Sequence, residues 1–223
     1  MQISVIIPAL NEAASIGQVV AAIPREMEIL VVDGDSTDGT AQVAEVAGAR
    51  VIQELRCGYG RACATGMEQA QGEILVFLDG DGADDPCYLP ELTQPILNGE
   101  AELVLGSRLA GRLDPGAMPW HQRWGNRLAA RLIRWLYHLP LTDLSPFRAI
   151  RREALLELRM QEMTYGWPTE MIVKAARRGW RMREIPVAYH PRQGGQSKIS
   201  GTLRGSLLAT VFILRTLLRY ARS

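Results

Sequence analysis

The chain is short of most features that would tie it to a special environment. Its 223 residues include three cysteines, Cys57, Cys63 and Cys87. An odd number without metal-ligand spacing argues against a disulfide framework and favours a reducing compartment. No apolar run reaches the roughly 18 residues that a spanning helix needs. The chain opens directly into the apolar residues 3–7 without a basic-then-apolar leader, so a cytosolic protein is expected. Net charge is nearly absent, at +1, which argues against a general affinity for nucleic acid. Acidic residues stop altogether after Glu184, whereas Arg192, Lys198, Arg204, Arg215, Arg219 and Arg222 follow. That asymmetry points to an anionic partner near the C-terminal end, a phosphate or a membrane headgroup. His121, His138 and His190 show no paired spacing, and no serine or cysteine nucleophile motif stands out. The histidines read as structural or surface residues.

What is present is a regular alternation. Short runs rich in Val and Ile, at 3–7, 28–32, 50–53, 74–78 and 102–105, read as strands buried on both faces. Helix-length segments at 13–23, 40–47, 61–71 and 87–97 separate them, with Asp38 as a candidate N-cap, Gly48 as a C-cap, and Asp85-Pro86 opening the fourth. The expectation is a single-domain α/β protein with a mostly parallel, Rossmann-like sheet and helices on both faces. The domain takes in residues 1–200, and 201–223 form an apolar and basic C-terminal helix that packs on the domain or lies on a membrane surface. Residues 108–118, rich in Gly, Pro and Arg, read as a long surface loop. A helix over 121–137 carries Trp124, Leu128, Leu132 and Trp135 on one face, and the tryptophans, Trp120 included, either shape a lipid or sugar groove or, as the default expectation, pack in the core.

Ligands of open α/β sheets bind at the carboxyl ends of the strands, and here those ends are acidic. The first strand runs into Pro8-Ala9-Leu10-Asn11-Glu12, the second into Asp33-Gly34-Asp35-Ser36-Thr37-Asp38-Gly39, and the fourth into Asp79-Gly80-Asp81-Gly82-Ala83-Asp84-Asp85. Three acidic turns at one edge repel one another unless a cation sits among them. Asp79 and Asp81, a D-x-D pair delivered by an apolar strand, suit Mg²⁺ or Mn²⁺ completed by substrate phosphates. Asp33 ends a buried strand, where it either meets a base or ribose or serves the turn.

These motifs, in this order and spacing, resemble family 2 glycosyltransferases of the GT-A fold, and among them the dolichol-phosphate mannosyltransferase group and its bacterial polyprenyl-phosphate relatives. The resemblance runs from Ile3 to about Arg204. It implies an inverting transfer of sugar from a UDP- or GDP-sugar to a polyprenyl phosphate by in-line displacement. It places Pro8, Asn11, Glu12 and Asp33 in the nucleotide pocket, Asp79 beside the donor, and Asp81 as principal metal ligand. Gly58-Tyr59-Gly60-Arg61 resembles the family's glycine-containing loop near the nucleotide.

Asp143-Leu144-Ser145-Pro146-Phe147-Arg148 is similar to the segment before the acceptor site, although relatives often have glycine where Pro146 stands. Arg148 either binds phosphate or pairs with a surface carboxylate. Glu170 corresponds to an acidic position near the acceptor, or is a first-turn glutamate favoured by the helix dipole. Arg192, Ser197 and Lys198 resemble a closing loop whose cations bracket phosphates. A neutral hydroxyl acceptor would need a general base, for which Glu170 and Asp143 are the candidates. A sugar-phosphate nucleotidyltransferase is disfavoured, because its glycine-rich basic loop is absent from positions 8–12. A family 2 enzyme with a soluble acceptor, and a non-catalytic nucleotide-sugar-binding protein, are the alternatives. Peripheral contact with the cytoplasmic face of a membrane accompanies the lipid-acceptor reading.

Overall fold

The structure is a computed structural model that describes residues 1–194 together with Arg215, Thr216 and Arg219. Its elements are β1 (Ile3–Ala9), α1 (Ile16–Ala21), β2 (Glu28–Asp33), α2 (Thr40–Val46), β3 (Arg50–Gln53), α3 (Tyr59–Gln69), β4 (Ile74–Phe77), α4 (Leu89–Leu97), β5 (Leu103–Ser107), α5 (Trp120–Tyr137), β6 (Arg148–Arg151), α6 (Arg152–Leu158), α7 (Trp167–Arg177) and β7 (Met182–Pro186). The seven strands form one sheet in the order β3-β2-β1-β4-β6-β5-β7. β1, β2, β3 and β4 are mutually parallel, as are β5 and β7, and only β6 runs antiparallel to its neighbours β4 and β5. The mostly parallel sheet expected from the sequence is therefore present.

Alternation along the strands builds two cores. Val5, Ile7, Val31, Val76 and Val104 face Ile16, Val19, Ala44, Leu92 and Ile96 from α1, α2 and α4. Ile6, Leu30, Phe77, Leu105 and Ile150 face Ala62, Ala129, Ile133, Leu155 and Met171 from α3, α5, α6 and α7. Helices thus cover both faces of the sheet, which explains why its strands read as continuous apolar runs. α3 lies close on the sheet because residue 66 is glycine: a Cβ there would stand 2.4 Å from the Ile6 side chain.

Several boundaries differ from the sequence reading, each for a local reason. The first helix starts at Ile16 rather than at 13, after a turn in which Glu12 N–H bonds Thr40 Oγ1 and Ala13 N–H bonds Asp38 Oδ2. The α2 N-cap is Gly39, at φ 89°, while Asp38 still accepts from Thr40 N–H at 3.0 Å. The segment 87–97 divides into a 3₁₀ turn at Pro86–Tyr88, capped by Asp85, and α4, with prolines at 90 and 95 limiting the helix. β7 ends at Pro186, beyond which Tyr189 bridges to Asp84 and Leu113.

The tryptophans are the largest departure. α5 buries Ala129, Ala130 and Ile133, and leaves Trp120, Trp124 and Trp135 exposed. The small residues, not the rings, set the distance of α5 from the core. The stretch 108–118 is not wholly a surface loop either, since Arg108 and Met118 are buried. The C-terminal helix expected over 201–223 falls, apart from three residues, outside the described part of the chain. Among the described residues no helix is long and apolar enough to cross a membrane.

Glu54, just past β3, fixes the edge of the sheet beside the β2 turn. Its N–H bonds Asp33 O at 2.8 Å. Its buried carboxylate accepts from Arg56 Nε at 2.8 Å and Nη2 at 2.7 Å, and from the Thr65 hydroxyl. These bonds hold the carboxyl down at about 2, with Arg56 the main cause. Its contribution is then complete above about pH 4.5 and disappears as pH falls through about 2. Because Arg56 is largely exposed, water reduces the worth of the pair. Glu54→Gln should cost about 1–2 kcal/mol at pH 7. In urea titrations the gap from the parent should close between about pH 4.5 and 2.

Candidate functional site

The carboxyl ends of β1, β2 and β4 share one edge of the sheet, in the register Ala9↔Asp33 and Ile6↔Phe77. Their three acidic turns are laced together. Asn11, held at φ 54°, accepts from Thr37 N–H through its side chain at 2.8 Å, and its own N–H bonds Ser36 Oγ at 2.8 Å. Asp33 is buried. Its Oδ2 accepts from Ser36 N–H at 3.1 Å, while its Oδ1 has no hydrogen-bond partner. Pro8, paired with Val32, closes the floor.

The D-x-D turn sits deepest. Asp81 is buried, with Oδ1 accepting from Ala83 N–H at 2.9 Å and Oδ2 in an ion pair with Arg192 at 2.9 Å. Arg192 also grips Glu12. One guanidinium from beyond β7 therefore ties the β1 and β4 turns together. Asp79 accepts from the Tyr59 hydroxyl at 3.1 Å. Its carboxyl is pushed well above the usual range, by burial first and by the charge of Asp81 second. Tyr59 reaches it because residues 58 and 60 are glycines. A Cβ at either would collide with the backbone of Glu162 and Met163, at 2.2 Å for Gly58 and 2.4 Å for Gly60. Gly58 moreover has φ 138°, which side chains rarely adopt.

Three residues not singled out as site residues from the sequence complete the group. Arg108, immediately past β5, is buried and makes a two-pronged ion pair with buried Asp143, Nε–Oδ2 at 2.7 Å and Nη2–Oδ1 at 2.9 Å. It also lies over the Tyr189 ring, 5.1 Å from the centroid. Asp84 is buried with Oδ1 unpartnered, and its carboxyl is pushed well up, by burial above all, with Asp79, Asp81 and Asp143 adding to the rise. A signal for Arg108 was available, since it ends a strand on the ligand side of the sheet. Asp84 belongs to the acidic turn after the fourth strand, while Tyr189 had no signal, because a β-bridge between residues so far apart in sequence leaves no local pattern.

Two expected site residues lie elsewhere. Arg148 is neither on the surface nor facing a carboxylate. It is fully buried, its guanidinium donating to the carbonyls of Ser145, Pro146 and Pro168, and burial lowers its pKa to about 10. It joins the start of β6 to the start of α7. Glu170 is likewise fully buried. Its carboxylate accepts from Gln161 N–H at 3.0 Å and Glu162 N–H at 2.7 Å, and pairs with Lys174 at 2.6 Å. It holds the 161–163 segment against which the Gly58–Gly60 loop packs, so its influence on Asp79 runs through Tyr59. Asp143, the other candidate base, is committed to Arg108. Ser197 and Lys198 lie outside the described residues.

The comparisons agree with this geometry. The profile of Glycosyl transferase family 2 matches residues 4–159, and the chain belongs to that family. An uncharacterized glycosyltransferase of Mycobacterium tuberculosis is 44% identical over 209 residues, 93% of this chain and 94% of that one. An undecaprenyl-phosphate mannosyltransferase of Micrococcus luteus is 31% identical, over 95% of this chain and 93% of its own. Among solved structures, glucosyl-3-phosphoglycerate synthase from Mycobacterium tuberculosis, in complex with Mn²⁺, UDP and phosphoglyceric acid, superposes with a TM-score of 0.78 at 26% identity. That match covers 99% of this chain and 78% of that one. The fold is GT-A, and the protein is a nucleotide-sugar-dependent glycosyltransferase.

Breaking a buried ion pair from one side leaves an uncompensated charge. Arg108→Met should therefore lower unfolding free energy by about 3–5 kcal/mol. Adding Asp143→Leu should recover most of that loss in the same urea titration, because the stranded carboxylate is then gone.

Proposed function

We propose that the enzyme transfers a hexose from a UDP- or GDP-sugar to a polyprenyl phosphate at the cytoplasmic face of a membrane, with inversion at the anomeric carbon. The observation that carries this reading is the composition of the sheet edge. Asp79, Asp81 and Asp84 are gathered against Arg108 and Arg192, with no unoccupied general base among the candidates. A lipid monophosphate is already an anion near neutral pH. It needs positioning more than deprotonation, which suits a site where Glu170 and Asp143 are both engaged. The likeness to the Micrococcus undecaprenyl-phosphate mannosyltransferase over nearly the whole of both chains supports the same acceptor class.

The donor set fits Mg²⁺ or Mn²⁺: oxygens only, two carboxylates from one tight turn, and a buried neighbour whose Oδ1 has no partner. Asp81 would hold the ion, with Asp79 beside it. When bound, the ion offsets charge gathering on the departing nucleoside diphosphate. The chain's own residues do the remainder. Asp33, through its free Oδ1, is placed to take a hydrogen bond from the base or ribose, with Pro8, Asn11 and Glu12 shaping the same pocket. Tyr59 fixes the orientation of Asp79. Arg192, which pairs with Glu12 and Asp81 at the same turn, would add its charge to the donor phosphates, and Ser197 and Lys198 follow it in sequence.

A soluble acceptor is the second reading, favoured by the structural likeness to glucosyl-3-phosphoglycerate synthase, which was solved with phosphoglyceric acid. One experiment separates the two. Purified enzyme, Mn²⁺ and labelled UDP- or GDP-sugars are mixed with polyprenyl phosphate or with phosphoglyceric acid, and label is counted in the organic and aqueous phases. EDTA-sensitive organic label is expected with one donor. Label passing only to the phosphoglyceric acid would establish the soluble reading. Asp81→Ala should lower transfer at least about a hundredfold, since several kcal/mol of charge stabilisation is lost. An Asp81→Ala enzyme as fast as the parent would remove the metal from the proposal.

A further inference from the structure

The exposed face of α5 has no role in the reaction as described. Trp120, Trp124, Leu128 and Trp135 are 71%, 63%, 53% and 75% exposed. Their spacing of four, four and seven residues puts them on one stripe of a helix, about 22 Å long at 1.5 Å per residue. Arg127, Arg131 and Arg134 lie in or beside that stripe and are exposed as well. Among the described residues none of these arginines pairs with a carboxylate; the only hydrogen bond of the three runs from Arg134 to the Leu141 carbonyl at 3.4 Å. No acidic residue stands anywhere between Asp114 and Asp143. The opposite side of the helix, Ala129, Ala130 and Ile133, is fixed in the core beside α7. α5 therefore cannot turn its rings inward.

Two features select the occupant. Tryptophan is favoured at the boundary between water and hydrocarbon, where its body is apolar and its N–H is wet. Unpaired arginine beside it answers anionic headgroups. A second copy of the chain fits less well. A twofold contact would set Arg127, Arg131 and Arg134 against the same residues of the partner, like charge on like. We infer that the Trp120–Trp124–Leu128–Trp135 stripe of α5, with Arg127, Arg131 and Arg134, docks the enzyme on an anionic lipid bilayer. The helix lies in the plane of the headgroups, its rings at the acyl boundary and its arginines among the phosphates. This reading adds to the lipid-phosphate acceptor without resting on it, because α5 would hold the protein to a bilayer that contains no acceptor at all.

The position of α5 gives the docking a use. The helix lies on the excursion between Arg108 and Asp143, the two residues whose ion pair joins the ends of that excursion. A surface held by α5 is therefore joined to the site along the chain, through both ends of this excursion.

The test is vesicle co-sedimentation with the full-length protein, without donor, metal or polyprenyl phosphate. Vesicles of phosphatidylcholine alone are compared with vesicles containing about 30% phosphatidylglycerol, at low and at about 0.5 M salt. Binding to the anionic vesicles only, weakened by salt, is expected. Arg127→Gln, Arg131→Gln and Arg134→Gln should each weaken it about fivefold, and Trp124→Ser with Trp135→Ser should abolish it. Since these side chains are exposed, the variants should keep the parent's circular dichroism. They should also keep the parent's metal-dependent release of nucleoside diphosphate from the sugar donor in detergent solution, which needs no bilayer. Parent protein that stays in the supernatant overturns the inference, as does binding that the variants leave unchanged. So does a concentration-dependent dimer that Trp124→Ser and Trp135→Ser dissolve. None of these outcomes bears on whether polyprenyl phosphate is the acceptor, which the partition assay decides separately.

Discussion

Like charge crowded onto one edge of a sheet is the constraint from which the rest of this structure follows. The strand order and the parallel register of β1, β2 and β4 bring three acidic turns side by side, and carboxylates so placed raise one another's proton affinity. The protein answers with two guanidinium groups of different character. Arg108 is built in from beneath, locked to Asp143 and to the ring of Tyr189. Arg192 reaches over from the far side of β7 and bridges Glu12 and Asp81. The first is part of the fold. The second holds its place by charge and is partly exposed.

The buried side chains below the site serve the same end at one remove. Glu170 orders the 161–163 backbone, that backbone meets the glycines at 58 and 60, and Tyr59 is carried to Asp79. Arg148 pins the start of β6 to the first turn of α7 through backbone carbonyls. Each is an ionisable residue held mainly by backbone groups, which accounts for its burial.

Much of this was legible in the chain. The apolar runs gave the strands, and their acidic ends gave the D-x-D turn, because those patterns are local and the sheet edge is the only place they can meet. Asp33 and Asp81 stand where the sequence put them. Arg148 and Glu170 were misplaced because a charged residue in a polar segment looks the same whether it meets water or a backbone carbonyl. The tryptophans of α5 were misplaced for a related reason. A helix with rings on one face and alanines on the other can bury either, and only the packing distance to α7 decides. Arg108 and Asp143 were not seen as a pair because 35 residues separate them.

That separation has a consequence of its own. The Arg108–Asp143 pair acts as a clasp at the neck of a long excursion, joining its two ends where they leave and re-enter the sheet. With the neck closed by charge, the loop and helix beyond it have less free length, in the way that a staple shortens a chain. The part of the enzyme that faces its surroundings can then lengthen, shorten or change character over generations while the acidic edge beneath keeps its shape. The excursion is a handle rooted in the core by Ala129, Ala130 and Ile133.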